Sequence, residues 1–256
     1  MRLPLLLSIL ILSTFAASAQ DDAKTRLEKS PRHGEWVEFS SGSRKIKAFV
    51  VYPQTKNKAT VVLVIHEIFG LTDWIRGVCD QLAEAGYIAI APDMLSGPTH
   101  QEGDEARKAI SELKPEQIES ELNATADYAM KLPAANGKLA VAGFCWGGGQ
   151  AFLFAEENAQ LKASFVFYGA APPSADMSKI SGPVYAFYGE NDARITTTVP
   201  DTEKAMKAAG KTYDPVIYSG AGHGFMRLGE AADAPPANRK AMQDSWKRLK
   251  SLLKTL

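Results

Sequence analysis

The chain has 256 residues, 45% of them hydrophobic and 23% charged, with 29 Lys plus Arg set against 29 Asp plus Glu. That length suits one large α/β domain better than two small ones, and the apolar fraction is enough for a substantial core. A formal net charge of zero without a long basic run argues against nucleic acid as a partner and against broad attraction to an anionic surface.

Arg2, the apolar run Leu3 to Phe15 and the small-residue site Ala17-Ser18-Ala19 read as a signal peptide over residues 1–19, with Gln20 as the first mature residue. The run is shorter than the roughly 20 residues a spanning helix needs. The expectation is export, to the periplasm or outside the cell, without stable membrane insertion after cleavage. An uncleaved anchor is the competing reading. Residues 20–33 are polar and are expected to form a loose leader, followed by a single domain over residues 34–256.

Within that domain, strands are predicted at Glu35–Phe39 and Ile46–Tyr52, and a β-branched strand buried on both faces at Thr60–Ile65. Helical period follows over Asp73–Ala85, ended by Gly86, and then a buried strand over Tyr87–Ala91. Helices are predicted at Glu102–Leu113, Pro115–Leu132, Gly147–Ala159, Pro200–Ala209 and Pro236–Leu253. Strands are predicted at Lys138–Ala142, Ala163–Tyr168, Val184–Tyr188 and Pro215–Tyr218. Strands alternating with helices imply an α/β fold with a mostly parallel sheet.

The strand Lys138–Ala142 runs into Gly143-Phe144-Cys145-Trp146-Gly147, and a helix begins at once. This is the context of the G-x-S-x-G nucleophile elbow, with cysteine in place of serine. The Trp146 N–H, at a helix N-terminus, is suited to an oxyanion and to a thiolate at Cys145. A phosphate loop would need a lysine after the glycines, which is missing; a buried structural cysteine is the other reading. Cys79, beside Val78 and Leu82 in a helical pattern, reads as core, so no disulfide is expected.

An elbow of this kind is followed in the chain by an acid and then a histidine. Strand Val184–Tyr188 ends in Gly189-Glu190-Asn191-Asp192, where a parallel sheet places catalytic groups. Asp192 is the chosen acid, with Glu190 and Asp201 as rivals. His223 follows the last strand within Gly220-Ala221-Gly222-His223-Gly224. His33 lies in the leader, His100 in a polar loop, and His66 precedes the elbow and so breaks the order. Cys145, His223 and Asp192 are thus the expected nucleophile, base and orienting acid. The loop after the third strand, His66-Glu67-Ile68-Phe69-Gly70, supplies the Ile68 N–H as the second oxyanion donor.

His-Glu-Ile-Phe-Gly, Ala-Pro-Asp, Gly-Phe-Cys-Trp-Gly-Gly, Gly-Glu-Asn-Asp and His-Gly-Phe together resemble the dienelactone hydrolases (carboxymethylenebutenolidases), from about Gly34 to the C-terminus. The resemblance implies an α/β-hydrolase core of about eight strands, without a large lid. It implies hydrolysis of small-molecule esters or lactones without metal or cofactor. It implies that Glu67 contacts the thiol and helps ionise it, and that Arg227 pairs with Glu67 and binds a substrate carboxylate. It further implies a second arginine shortly after Pro92-Asp93, but the stretch to Gly97 has none and the next arginine is Arg107. Two other functions compete with the hydrolase: a redox-active thiol protein, which would lack a resolving cysteine near Cys145, and a catalytically dead binding module on the same fold.

Overall fold

The computed structural model of the protein describes residues 23–97, 99–100 and 103–256. The signal-peptide reading falls on residues 1–19, outside those described. No helix among the described residues is long and apolar enough to cross a membrane.

Eight strands form one sheet: β1 (Gly34–Ser41), β2 (Arg44–Val51), β3 (Ala59–Ile65), β4 (Ile88–Pro92), β5 (Ala135–Phe144), β6 (Leu161–Phe167), β7 (Val184–Gly189) and β8 (Tyr213–Tyr218). Their spatial order is β1-β2-β4-β3-β5-β6-β7-β8. β1 is antiparallel to β2 and β2 to β4, and every other neighbouring pair is parallel. The eight-stranded, mostly parallel sheet expected from the sequence is therefore present.

The central strands are continuous apolar runs because both faces are covered. In β3, Val62 and Val64 join Trp74, Cys79 and Leu249 on one side, while Val61, Leu63 and Ile65 join Leu122 and Phe152 on the other. Each such side chain contributes about 1.5–3 kcal/mol on full burial, so β-branched residues are favoured at every position and polar alternation disappears.

The covering helices are α1 (Asp73–Glu84), α2 (Gly103–Ser111), α3 (Pro115–Met130), α4 (Trp146–Glu157), α5 (Ala193–Thr196), α6 (Val199–Ala208), α7 (Phe225–Leu228) and α8 (Pro236–Leu253). Thr72 caps α1 by accepting from the Ile75 N–H, and Pro115 occupies the first turn of α3. The four-residue α5 and α7 are absent from the sequence-based expectation, because a single turn is too short to show a period.

The chain winds outward from β3 to β4 and then returns to place β5 on the other side of β3. That reversal opens a crevice at the carboxyl ends of β3 and β5. Parallel registers align the strand ends: Ile65 faces Gly143, Phe144 faces Phe167, Phe167 faces Phe187, and Gly189 faces Tyr218. Residues just beyond each strand therefore lie in a row along one edge.

The leader is a correction. Residues 23–29 are helical, and Ala23 is fully buried in the cluster that holds Trp74 and Cys79. Arg26 pairs with Glu230, and Arg32 grips Asp80 through Nε–Oδ1 at 2.8 Å and Nη2–Oδ2 at 2.6 Å. Polarity suggested looseness, but these charges answer buried carboxylates far along the chain.

Candidate active site

Cys145 sits between β5 and α4 with φ 57° and ψ −115°. A non-glycine residue in that region is strained, and the surroundings hold it there. A Cβ on Gly143 would overlap the Gly147 carbonyl, and one on Gly147 would overlap the carbonyl of Ile65. Only glycine at both positions lets the turn close against β3. The Cys145 N–H is tied to the Phe167 carbonyl at 3.0 Å, so the thiol stands on the crevice side, partly exposed. Both cysteines are free; Cys79 is fully buried, and burial raises its thiol pKa far above the ordinary range.

The loop after β8 delivers His223. Its Nε2 lies 3.1 Å from the Cys145 Sγ, and its Nδ1 lies 2.5 Å from Asp192 Oδ2. Asp192 is buried at the end of the loop after β7 and caps no helix with its side chain. Burial alone would lower the His223 pKa, but hydrogen bonds and charge from Asp192 and Cys145 outweigh it and raise the imidazole to about 9. The rival acids lie elsewhere. Glu190 accepts from Ser219 Oγ at 2.9 Å and the Gly220 N–H at 2.8 Å, which lowers its pKa and closes the turn before His223. Asp201 is exposed in the first turn of α6.

Glu67 and Arg227 meet beside Gly224, the residue after His223. Arg227 Nε donates to Glu67 Oε2 at 2.7 Å, and both side chains are nearly buried. Burial disfavours the guanidinium charge, and the Glu67 carboxylate more than compensates. The guanidinium also lies over the Phe69 ring, 5.1 Å from its centroid.

The structure brings together Cys145, His223 and Asp192, and sets the Glu67–Arg227 pair close by. Ile68 occupies the turn after β3, where the Glu67 carbonyl accepts from the Gly70 N–H at 3.3 Å. The Trp146 N–H belongs to the first turn of α4, whose N–H groups lack partners within the helix.

Two residues of this region escaped the sequence reading. Tyr168, directly after β6, is fully buried at φ 41° and meets the His223 ring edge-on at 5.2 Å. Its hydroxyl is buried beside Glu67 without a well-formed hydrogen bond, and burial keeps it protonated far above its usual range. The one signal was its place at a strand end before Gly169. His66 was set aside for its position in the chain order, yet its ring stacks on Trp146.

A mostly parallel sheet wrapped by helices, with a cysteine elbow and a histidine beyond the last strand, defines an α/β-hydrolase. The profile of the dienelactone hydrolase family matches residues 46–256. A "Putative carboxymethylenebutenolidase" of Methylorubrum extorquens is 34% identical over 226 residues, covering 80% of this chain and 75% of the relative. One of the same name from Synechocystis is 33% identical over 241 residues, covering 86% and 95%. Among solved structures, the "Putative Dienelactone Hydrolase" of Klebsiella pneumoniae superposes with a TM-score of 0.80 at 27% identity, covering 88% of this chain and 99% of its own. An esterase of Pyrobaculum calidifontis shares the fold, with a TM-score of 0.70 at 17% identity. The chain belongs to the dienelactone hydrolase family, and it is a hydrolase.

Proposed function

We propose that the protein is an exported, thiol-dependent hydrolase of small ester or lactone bonds that works through an acyl-enzyme. The supporting observation is the unbroken chain of contacts from Asp192 Oδ2 through the two His223 nitrogens to Cys145 Sγ, at 2.5 Å and 3.1 Å. His223 holds the proton that the thiol gives up, the thiolate Sγ bonds to the substrate carbonyl carbon, and Asp192 steadies the imidazolium. The N–H groups of Ile68 and Trp146 receive the oxyanion. His223 then returns the proton to the departing alkoxide as the C–O bond breaks, leaving a thioester. Water, deprotonated by His223, releases the acid and restores the thiol. Arg227 keeps Glu67 paired at the edge of this site, with Nε donating to Oε2 at 2.7 Å.

Turnover of p-nitrophenyl acetate tests this reading. Cys145→Ala is expected to fall to background and His223→Ala by about 10³-fold or more. Unchanged turnover in both variants would overturn it. Export is tested by fractionation: a mature chain in the periplasm or medium that begins at Gln20 supports it, and a full-length chain held in the cytosol overturns it.

A further inference from the structure

His66 is a fully buried histidine to which the chemistry above gives no task. It directly follows β3, at the entrance to the turn that carries Glu67 and Ile68. Its Nδ1 lies 2.6 Å from the Glu67 carbonyl oxygen. A carbonyl only accepts, so Nδ1 carries the hydrogen and donates it. The ring stacks on the Trp146 indole with centroids 5.5 Å apart and planes at 29°. Gly147 closes over the carbonyls of Ile65 and His66, so the elbow and the end of β3 are in backbone contact. Nε2 is buried without a partner among the described residues. An apolar side chain would fill this space without that cost, so packing alone does not account for a histidine.

The Glu67 carbonyl and the Ile68 N–H belong to one peptide unit. That unit is planar and trans, so its two dipoles point in opposite directions, and whatever fixes the carbonyl fixes the N–H. Two donors hold this carbonyl: the Gly70 N–H at 3.3 Å and His66 Nδ1 at 2.6 Å. The histidine bond is much the shorter, and it lies in a water-excluded place where an electrostatic bond is strengthened. The same ring braces the side chain of Trp146, whose N–H is the other oxyanion donor. Burial pushes the imidazole pKa down to about 4, so the donor works without adding a second cation to compete with Arg227 for Glu67.

We propose that His66 is the positioning residue of the oxyanion hole: it holds the Glu67–Ile68 peptide so that the Ile68 N–H faces the substrate carbonyl oxygen. This rests on the thiol-hydrolase reading above.

The test uses three variants and two reagents. His66→Leu approximates the bulk and removes the donor. His66→Asn places an amide N–H near the Nδ1 position, whereas His66→Gln places it near Nε2. With p-nitrophenyl acetate, His66→Leu and His66→Gln are expected to lose about 10²-fold in kcat with KM little changed, the scale of a lost oxyanion donor. His66→Asn is expected to recover most of that loss. Alkylation of Cys145 by iodoacetamide, which develops no oxyanion, is expected to stay within about twofold in all three. A leucine variant with wild-type kcat would overturn the proposal. So would equal losses in the asparagine and glutamine variants, or alkylation that falls in parallel with kcat. If the leucine variant does not fold, the asparagine–glutamine comparison decides alone. A wild-type protein that is alkylated at Cys145 but turns over no ester would overturn the hydrolase reading instead.

Discussion

His223 binds its proton more tightly than an exposed imidazole, because Asp192 and Cys145 together outweigh the cost of its burial. With a folded pKa of about 9 against an ordinary 6.5, its charge contributes stability that is fully present below pH 6.5. That contribution is lost as the pH rises through 9. The His223 side chain is 34% exposed, so solvent screening reduces the effect to the order of 1 kcal/mol. Asp192→Asn removes the partner that holds the proton. The difference in unfolding free energy between wild type and this variant is therefore expected to shrink between pH 6.5 and 9, as followed by urea denaturation. A difference that stays constant over that window would show that Asp192 does not hold the proton. Cys145, Asp192 and His223 were legible in the sequence because each follows a recognisable strand and because their order along the chain is informative. Tyr168 and His66 were not, because their significance lies in what they touch. His66 was dismissed by the same order rule that found His223.

The elbow is written locally. Gly143 and Gly147 are spaced so that the turn can close on β3, and a strand and a helix flank them, so four or five residues suffice to predict the strained cysteine. The segment ahead of β1 is the opposite case. Its Arg32 is held by Asp80 in α1, and Arg26 of its helical stretch by Glu230, three residues past Arg227. Asp80 is buried and receives both ends of the Arg32 guanidinium. Among the described residues, Arg32→Ala leaves that carboxylate with only Ser30 Oγ as a close donor. The expected cost is about 2 kcal/mol in urea denaturation, since a buried carboxylate loses its charge partner. A cost under about 0.5 kcal/mol would mean that water reaches Asp80 freely. A polar composition could not reveal this docking, because the partners lie 48 and 204 residues away.

At the scale of the whole molecule, the fold decides which cations are available to substrate. Arg227 is buried against Glu67. Arg44, from the start of β2, reaches the Pro92–Gly97 loop. Its Nη2 lies 3.4 Å from Ser96 Oγ while its Nε is bound to the buried Glu121 at 2.6 Å. Arg107, the next arginine after that loop, pairs with Asp104 on the exposed face of α2. These guanidiniums all have carboxylate partners, so a carboxylate on the substrate gains little. An acyl ester bearing a free carboxylate and its neutral counterpart are expected to differ by less than about tenfold in kcat/KM. A preference of 10²-fold or more for the carboxylate would show that Arg227 leaves Glu67 to bind it.

The sequence by itself determined the α/β class, the central buried strands, the cysteine elbow and the acid–histidine order. Those features are encoded in hydrophobic period, in glycine spacing and in positions counted along the chain. The tertiary structure alone decided that the segment before β1 is pinned; it also sets Asp192 rather than Glu190 against the histidine and Glu67 against Arg227 across 160 residues, where the motifs had left rivals or only a resemblance. It also decided that a histidine outside the expected order holds the turn beside the elbow. The contacts around the elbow join segments that follow strands set side by side by the register of the parallel sheet, and the pinned segment docks on α1. Pairing of strands distant in sequence is set by burial over the whole sheet, which no local pattern contains.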